Sequence, residues 1–323
     1  MIDFSNVVLP NGKLNETTIA KQEEINQQKN IGRLSLYRFW IETDTDLKSY
    51  IFKPTKDSTP IKFELWFQNE LVPLMEHVRS PKLLAHRMDE VQNIFWMIYE
   101  DIGSIEPAFD RKVRIKAAKK MAVWHRLPLQ TIASNTASFM PYIDETMQSL
   151  CRDIHYYAKL LQNIEVTERE ITSFFDLINK MNGVFPSELT VCHGDYHCLN
   201  LLNTSDELVI LDWEFIQVNS IFWDFYTLLD MATPRYRIQI NKSIREEALR
   251  SYSEERNRLS GWVASKDFVY NYHLYSLIYS IWILALVASD LEDERFEQEI
   301  LLIQKQELKG IIRECLDVVL YRN

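Results

Sequence analysis

The sequence predicts an α+β protein, a strand-rich first third followed by a long helical remainder. Three observations carry that expectation. Between residues 37 and 99, short β-branched and aromatic runs are separated by turn-forming clusters. From residue 111 onward, apolar residues recur at the spacing of a helix face. Between these lies a pair of short apolar runs, Leu201-Leu202 and Leu208-Val209-Ile210-Leu211, joined by the polar turn Asn203-Thr204-Ser205-Asp206-Glu207.

The 323 residues allow one large or two modest domains, and a hydrophobic content of 46% supports a full core. A formal net charge of −10 leaves no basic excess, which argues against a nucleic-acid binder or a binder of anionic membranes. It is compatible with a cationic substrate without requiring one. Cys151, Cys192, Cys198 and Cys315 have no disulfide-scaffold spacing, and a reducing, cytoplasmic setting is expected. Met1-Ile2-Asp3-Phe4 lacks a charged region leading into an apolar core, so no signal peptide is expected. The stretch 273–289 holds no Asp, Glu, Lys or Arg, but at seventeen residues it is at the short limit for a membrane span. His273, three serines and two tyrosines within it point to a buried helix instead. No repeat, low-complexity tract or Pro/Gly-rich linker divides the chain.

Taken in order, Thr17, Thr18 and the glutamates after them suggest a helix over 17–28. Gly32-Arg33-Leu34-Ser35 reads as a tight loop, 37–42 as a strand, Asp44-Thr45-Asp46 as a turn and 50–53 as the next strand. A helix follows over 61–75, with Phe63, Phe67, Leu71 and Leu74 on one face. Strands are expected at 81–84 and 94–99, and Glu100-Asp101-Ile102-Gly103 ends the sheet. Val113, Ala117, Met121 and Trp124 set a helix over 111–126, at whose end His125 is read as structural. Further helices are expected over 142–162, 167–181, 238–260, 267–289 and 295–320, with another opening at 221–225. Tyr270, Tyr275, Tyr279 and Trp282 fit either a cation-π pocket or an aromatic core face.

The hairpin carries the chemistry. Asp195 is followed five residues later by Asn200, and the second apolar run ends on Asp212. A hairpin folds its ends together, so Asn200 and Asp212 are expected side by side. Phosphoryl transfer needs a carboxylate to orient the attacking hydroxyl, a role suited to Asp195. It also needs oxygen ligands for magnesium, which Asn200 and Asp212 supply. The spacing matches H-R-D-x-x-x-x-N, with Gly194 in the place of the arginine. Cys192-His193 and His197-Cys198 also form a zinc-like pattern. All four lie in one seven-residue stretch, whereas zinc ligands come as separated pairs.

H-G-D-x-x-x-x-N followed by D-W-E resembles the aminoglycoside phosphotransferase and choline kinase-like family, most closely over 190–230 and less so over 30–130. The resemblance implies a two-lobed, protein-kinase-like fold. A small antiparallel-sheet N-lobe spans 1–98, a hinge 99–104, and a large, mainly helical C-lobe 105–323. It implies ATP and Mg2+ as cofactors and the hydroxyl of a small molecule as acceptor. Lys53 matches the strand lysine that contacts the phosphates. Glu64 and Glu70 are its candidate ion-pair partners, with Glu64 preferred because it lies near the start of its helix. The phosphate loop has only Gly32, so Ser35 or backbone N–H groups would grip the phosphates there. Tyr99 and Asp101 match hinge residues whose backbone bonds the adenine. Asp224 matches an aspartate that braces the catalytic loop. Glu214 is a second metal or substrate contact, or a structural residue. The acidic run Asp290-Leu291-Glu292-Asp293-Glu294 raises the expectation of an amine-bearing acceptor, against a solvated helix end. The rival classes are a pseudokinase, which the sparse glycine loop would suit, and a kinase of a protein adduct.

Overall fold

The computed structural model describes residues 4, 6–25, 34–43, 46–103, 110–132, 140–204, 207–237, 241–293 and 296–321. Gly32 and Arg33 of the expected phosphate loop, Asp44 and Thr45 of the expected turn, Ser205 and Asp206 of the hairpin turn, and Glu294 of the acidic run lie outside them. In chain order the elements are β1 (Lys21–Glu24), β2 (Tyr37–Glu42), β3 (Leu47–Thr55), α1 (Thr59–Trp66), β4 (Leu83–Asp89), β5 (Ile94–Glu100), α2 (Arg111–His125), α3 (Ile143–Arg152), α4 (Ile154–Gln162) and α5 (Glu168–Lys180). They continue with β6 (Leu189–Cys192), β7 (Leu201–Asn203), β8 (Leu208–Ile210), β9 (Gln217–Ser220), α6 (Trp223–Leu229), α7 (Lys242–Ser260), α8 (Phe268–Glu292) and α9 (Gln298–Leu320). The chain divides into two compact units, Met1–Glu106 with Thr204–Glu214, and Pro107–Asn203 with Phe215–Asn323.

The first unit is an antiparallel five-stranded sheet in the order β1-β2-β3-β5-β4. One face buries Phe39, Phe52, Trp96 and Ile98 under Val7, Val8 and Leu14, which arrive from the N-terminal segment. The other face buries Phe95, Met97 and Tyr99 against Ile61 of α1. The helix expected over 17–28 is corrected. Lys21–Glu24 is an edge strand paired with β2, and Lys21 lies opposite Trp40 with its Nζ 3.8 Å from the ring centroid. All four residues of this strand are exposed, so a helix here would have no apolar face to bury. β4 also begins later than the expected 81–84. It runs to Asp89 as an edge strand, with a register shift between Leu83 and Ala85.

The helix expected over 61–75 changes geometry twice. After α1 the chain widens into a π-turn over Phe67–Leu71 and then tightens to 3₁₀ over Val72–Leu74. Pro73 removes a donor from the last turn. The buried side is therefore Ile61, Phe67, Leu71 and Met75, while Leu74 is exposed and Phe63 half-buried.

The second unit is mainly helical. α2 starts at an Asp110 cap whose carboxylate accepts the Lys112 N–H at 2.6 Å, and Trp124 and His125 near its end are buried. The single helix expected over 142–162 breaks at Asp153, whose carboxylate caps α4. α5 opens on a capping box of Thr167 and Glu170. α8 is long and apolar enough to cross a membrane, yet 67% of its most apolar window is buried inside the protein. Tyr275 and Tyr279 pack among Phe185, Phe222, Trp223 and Tyr226, which makes them part of an aromatic core. β6 pairs antiparallel with β9 and leads into the loop that carries Asp195.

Candidate active site

Asp224, at the start of α6, organises the loop after β6. Its buried carboxylate accepts the backbone N–H of His193 at 2.8 Å and of Gly194 at 3.1 Å. It also accepts the Trp124 indole N–H at 2.9 Å, and His125 Nε2 lies 3.2 Å away. Burial pushes the Asp224 carboxyl up, but the hydrogen bond and charge of His125, with His193 and Trp124, hold it below the usual range. His125 is thus the expected structural histidine. Its Nδ1 meets the Tyr252 hydroxyl at 2.9 Å, and burial pulls its pKa down. Gly194 has φ +91°, and a Cβ there would sit 1.9 Å from the Phe215 carbonyl oxygen. Glycine is therefore a steric requirement where related motifs place arginine. On the other side of the loop, the Trp223 indole donates to the Gly194 carbonyl at 2.7 Å, and the Tyr196 hydroxyl donates to that of Ala117 at 3.1 Å.

This frame holds Asp195. The Asn200 amide nitrogen donates to the Asp195 carbonyl at 2.8 Å and to its carboxylate at 3.2 Å. His197 Nε2 lies 3.4 Å from the other carboxylate oxygen. Burial pushes Asp195 up, but His197, His193 and Asn200 together leave it below the usual carboxylate range. The group is therefore ionised at neutral pH and can accept a proton. Because the Asn200 nitrogen is committed to Asp195, the amide oxygen is its atom for a cation.

In the first unit, Lys53 of β3 is gathered with Asp212 and Glu214. Its Nζ is 3.9 Å from a carboxylate oxygen of each. Lys53 lies within ion-pair distance of the D-W-E turn and not of Glu64 or Glu70, its expected candidate partners, although its charge acts on the Glu64 carboxyl. Glu64 accepts from Gln68 Nε2 at 2.8 Å, and that nitrogen also donates to the Pro81 carbonyl. Burial pushes the Glu64 carboxyl up, with Asp212 acting the same way, and Gln68, Tyr99 and Lys53 do not cancel the effect. Asp212 has φ +59°, a left-handed conformation that costs energy for a residue with a side chain. Trp213 anchors that turn by stacking on Phe67 with ring centroids 5.2 Å apart, and by donating to the Ile210 carbonyl.

The remaining expected residues hold the first unit together. The Ser35 hydroxyl donates to Glu24 at 2.5 Å. The Asp101 carboxylate takes a two-point contact from Arg38, Nε at 2.6 Å and Nη2 at 3.2 Å, and accepts the Gly103 N–H. Burial acts upward on Asp101, but Arg38 and Gly103 hold it below the usual range. The Tyr99 side chain faces Glu64, Asp212 and Glu214, a placement that its expected backbone role did not foresee. The zinc-like pattern does not gather. Among the described residues, the metal-capable group is His125, Cys192 and Asp224, buried and hydrogen-bonded to other protein groups. Glu292, in the middle of the acidic run and at the end of α8, acts on Tyr156 of α4. Tyr236 and Arg114, which neighbour the Asp195 loop, carry no motif that sequence could single out.

No curated protein matches the sequence. Among solved structures, the chain is similar to a spectinomycin phosphotransferase in complex with ADP and spectinomycin (TM-score 0.55, 14% identity, covering 92% of each chain). It is also similar to a choline kinase from Cryptosporidium parvum Iowa II (TM-score 0.54, 13% identity, 98% of this chain and 94% of that one). A third similar structure is an amicoumacin kinase in complex with AMP-PNP, Ca2+ and Ami (TM-score 0.55, 13% identity, 93% and 89%). At such identities the likeness establishes the two-part, protein-kinase-like α+β fold. A family model described as the phosphotransferase enzyme family matches residues 29–262. The chain belongs to the phosphotransferase enzyme family.

Proposed function

We propose that the protein transfers the γ-phosphate of ATP to a hydroxyl of a small molecule. The observation that carries this is Asp195, ionised, half-shielded and held by Asn200 and His197 on a loop tied to a buried carboxylate. Such a group orients an acceptor hydroxyl and takes its proton as the O–P bond forms. Among the described residues, Lys53 has no closer ion pair than 3.9 Å, and such loose pairs would yield to nucleotide phosphates. The bound ADP and AMP-PNP of similar structures support a nucleotide as donor.

The residues present suit magnesium. Asn200 offers an amide oxygen and Asp212 a partly exposed carboxylate held only loosely by Lys53. A hard cation takes few protein oxygens and completes its shell with phosphate and water. When bound, magnesium neutralises phosphate charge; the protein's own part is positioning. Glu64, held by Gln68 beside Tyr99, would support the lysine from a second layer. Backbone groups at Tyr99 and Asp101 would face the base. Ser35 is tied to Glu24, which leaves backbone N–H groups to grip the phosphates.

The test is ADP release from magnesium-ATP over a panel of hydroxyl compounds. Acceptor-dependent release, lost in Asp195→Asn, supports the assignment. Nucleotide binding without turnover would instead leave a pseudokinase that acts as a binding module.

A further inference from the structure

We infer that His197 is a positioning residue for Asp195: a neutral imidazole, steadied by the Tyr236 ring, that points its Nε2 proton at the carboxylate and does not relay the acceptor's proton. This rests on the phosphotransferase assignment above. His197 is 8% exposed, and its Nε2 lies 3.4 Å from one carboxylate oxygen of Asp195. The other oxygen takes the Asn200 amide at 3.2 Å. The carboxylate is thus flanked at both oxygens, which restricts its otherwise soft terminal rotation. The backbone ties the same three residues together. The His197 N–H donates to the Asp195 carbonyl at 3.1 Å, and the His197 carbonyl accepts the Asn200 N–H at 2.9 Å.

The second ring nitrogen decides where the proton sits. His197 Nδ1 is buried and has no hydrogen-bond partner among the described residues. A neutral imidazole has one N–H and one bare lone pair, whereas the imidazolium has two N–H groups. With the proton on Nε2, the single N–H faces a carboxylate oxygen. With it on Nδ1, a buried N–H is orphaned and the Nε2 lone pair faces that oxygen instead. Both costs disfavour the second tautomer. A relay fails for the same reason, because a proton passed to His197 would have to leave through Nδ1. Asp195 keeps 20% of its side chain exposed, so the proton it takes can leave directly to water.

Tyr236 holds the imidazole from its side. The two ring centroids are 5.6 Å apart with 59° between the planes, a favourable aromatic spacing. An antiparallel bridge between Thr233 and Tyr236 fixes the backbone of that tyrosine. At 3.4 Å the contact from Nε2 to Asp195 is longer than an ordinary N–H···O bond. Contacts of this kind tighten in the complex with substrate, so the effect belongs in kcat.

Two measurements test this on the full chain. In nitrogen-15 imidazole spectra, the signals that vanish in His197→Gln belong to His197, and they should show Nε2 protonated and Nδ1 bare. Kinetics follow ADP release from magnesium-ATP, first with water as acceptor and then with the best compound of the hydroxyl panel. His197→Leu should lower kcat about tenfold or more, with the KM of ATP within about twofold. His197→Gln has an amide N–H of similar reach but cannot pass a proton, and should return kcat to within about threefold of wild type. Tyr236→Leu should lower kcat, and should add less than about twofold to the loss in His197→Leu. Thermal melting shows that each variant is folded. A proton on Nδ1, a charged ring at neutral pH, a glutamine variant as slow as the leucine one, or fully additive losses would overturn the inference and leave the phosphotransferase assignment standing. No ADP release by the wild type with any acceptor removes both.

Discussion

Gly194→Ala is the smallest change that should separate a held catalytic loop from a merely folded one. The added Cβ would lie 1.9 Å from the Phe215 carbonyl oxygen, 2.7 Å from its carbon and 3.0 Å from the Phe215 Cβ. Ordinary contacts of this kind lie near 3.5 Å, so the loop and residue 215 must separate by about 1.5 Å. The obstacle is backbone, not the end of a flexible side chain, so nothing nearby can simply swing away. The left-handed φ of +91° adds about 1–2 kcal/mol for a residue with a Cβ. The shift would also pull Gly194 from two contacts, its N–H on Asp224 and its carbonyl under the Trp223 indole. A misplacement of about 1 Å can cost about 10²-fold in rate, so kcat for ADP release should fall by at least about that factor. Thermal melting and nucleotide titration establish that the variant is folded and still binds. A folded Gly194→Ala protein with wild-type kcat would refute the reasoning, since Asp195 would then not depend on this geometry.

Four further outcomes follow from the same contacts. Asp195→Asn should lower turnover by about 10²-fold or more with nucleotide still bound, and near-normal turnover in a folded variant removes Asp195 from its role. Asp212→Ala should weaken nucleotide binding in magnesium far more than without it, and calorimetric titrations with equal magnesium dependence would end its assignment as a ligand. Asp224→Asn leaves an amide facing backbone N–H groups, the Trp124 indole and His125. A loss of about 2–4 kcal/mol by denaturant titration is expected, and a midpoint like wild type would count against the brace. Glu64→Gln turns on the sign of a pKa shift. Burial raises the folded pKa above the ordinary 4.5, so below that value Glu64 costs nothing, and stability is lost as pH rises through the raised pKa. The glutamine variant should therefore melt at or above the wild-type temperature at pH 7, with the gap closing below 4.5. A variant that is less stable at pH 7 than at pH 4 relative to wild type would reverse that account.

What the sequence could disclose depended on how far apart the partners lie along the chain. The bounds of β2 and the start of β5 were legible because each is bounded by its own turns, and the alternation within each is local. Asp195 and Asn200 were legible for the same reason: five residues of loop and 3₁₀ turn are enough to bring an amide onto a carboxylate, and the spacing alone encodes it. β1 was misread because four exposed polar residues contain no pattern. Its identity comes from the edge of β2 and from the Trp40 ring under Lys21. The helix over 61–75 failed at its far end, since a π-turn rotates every later side chain and nothing in F-Q-N-E-L announces it. The same logic explains the site. The Lys53–Glu64 pair was inferred by analogy with a motif, but ion pairing is decided by which carboxylate the fold brings within reach, and the D-W-E turn brings two. Arg114 lies about eighty residues before Asp195 and Tyr236 forty after it, so only the packed chain shows that both border one loop. Residues that must be neighbours in sequence to act tend to announce the reaction, whereas those recruited from a distance set what the reaction is done to. That is why the Asp195–Asn200 contact was readable early, and why the surroundings of Arg114 and Tyr236 became visible only with the helices in place.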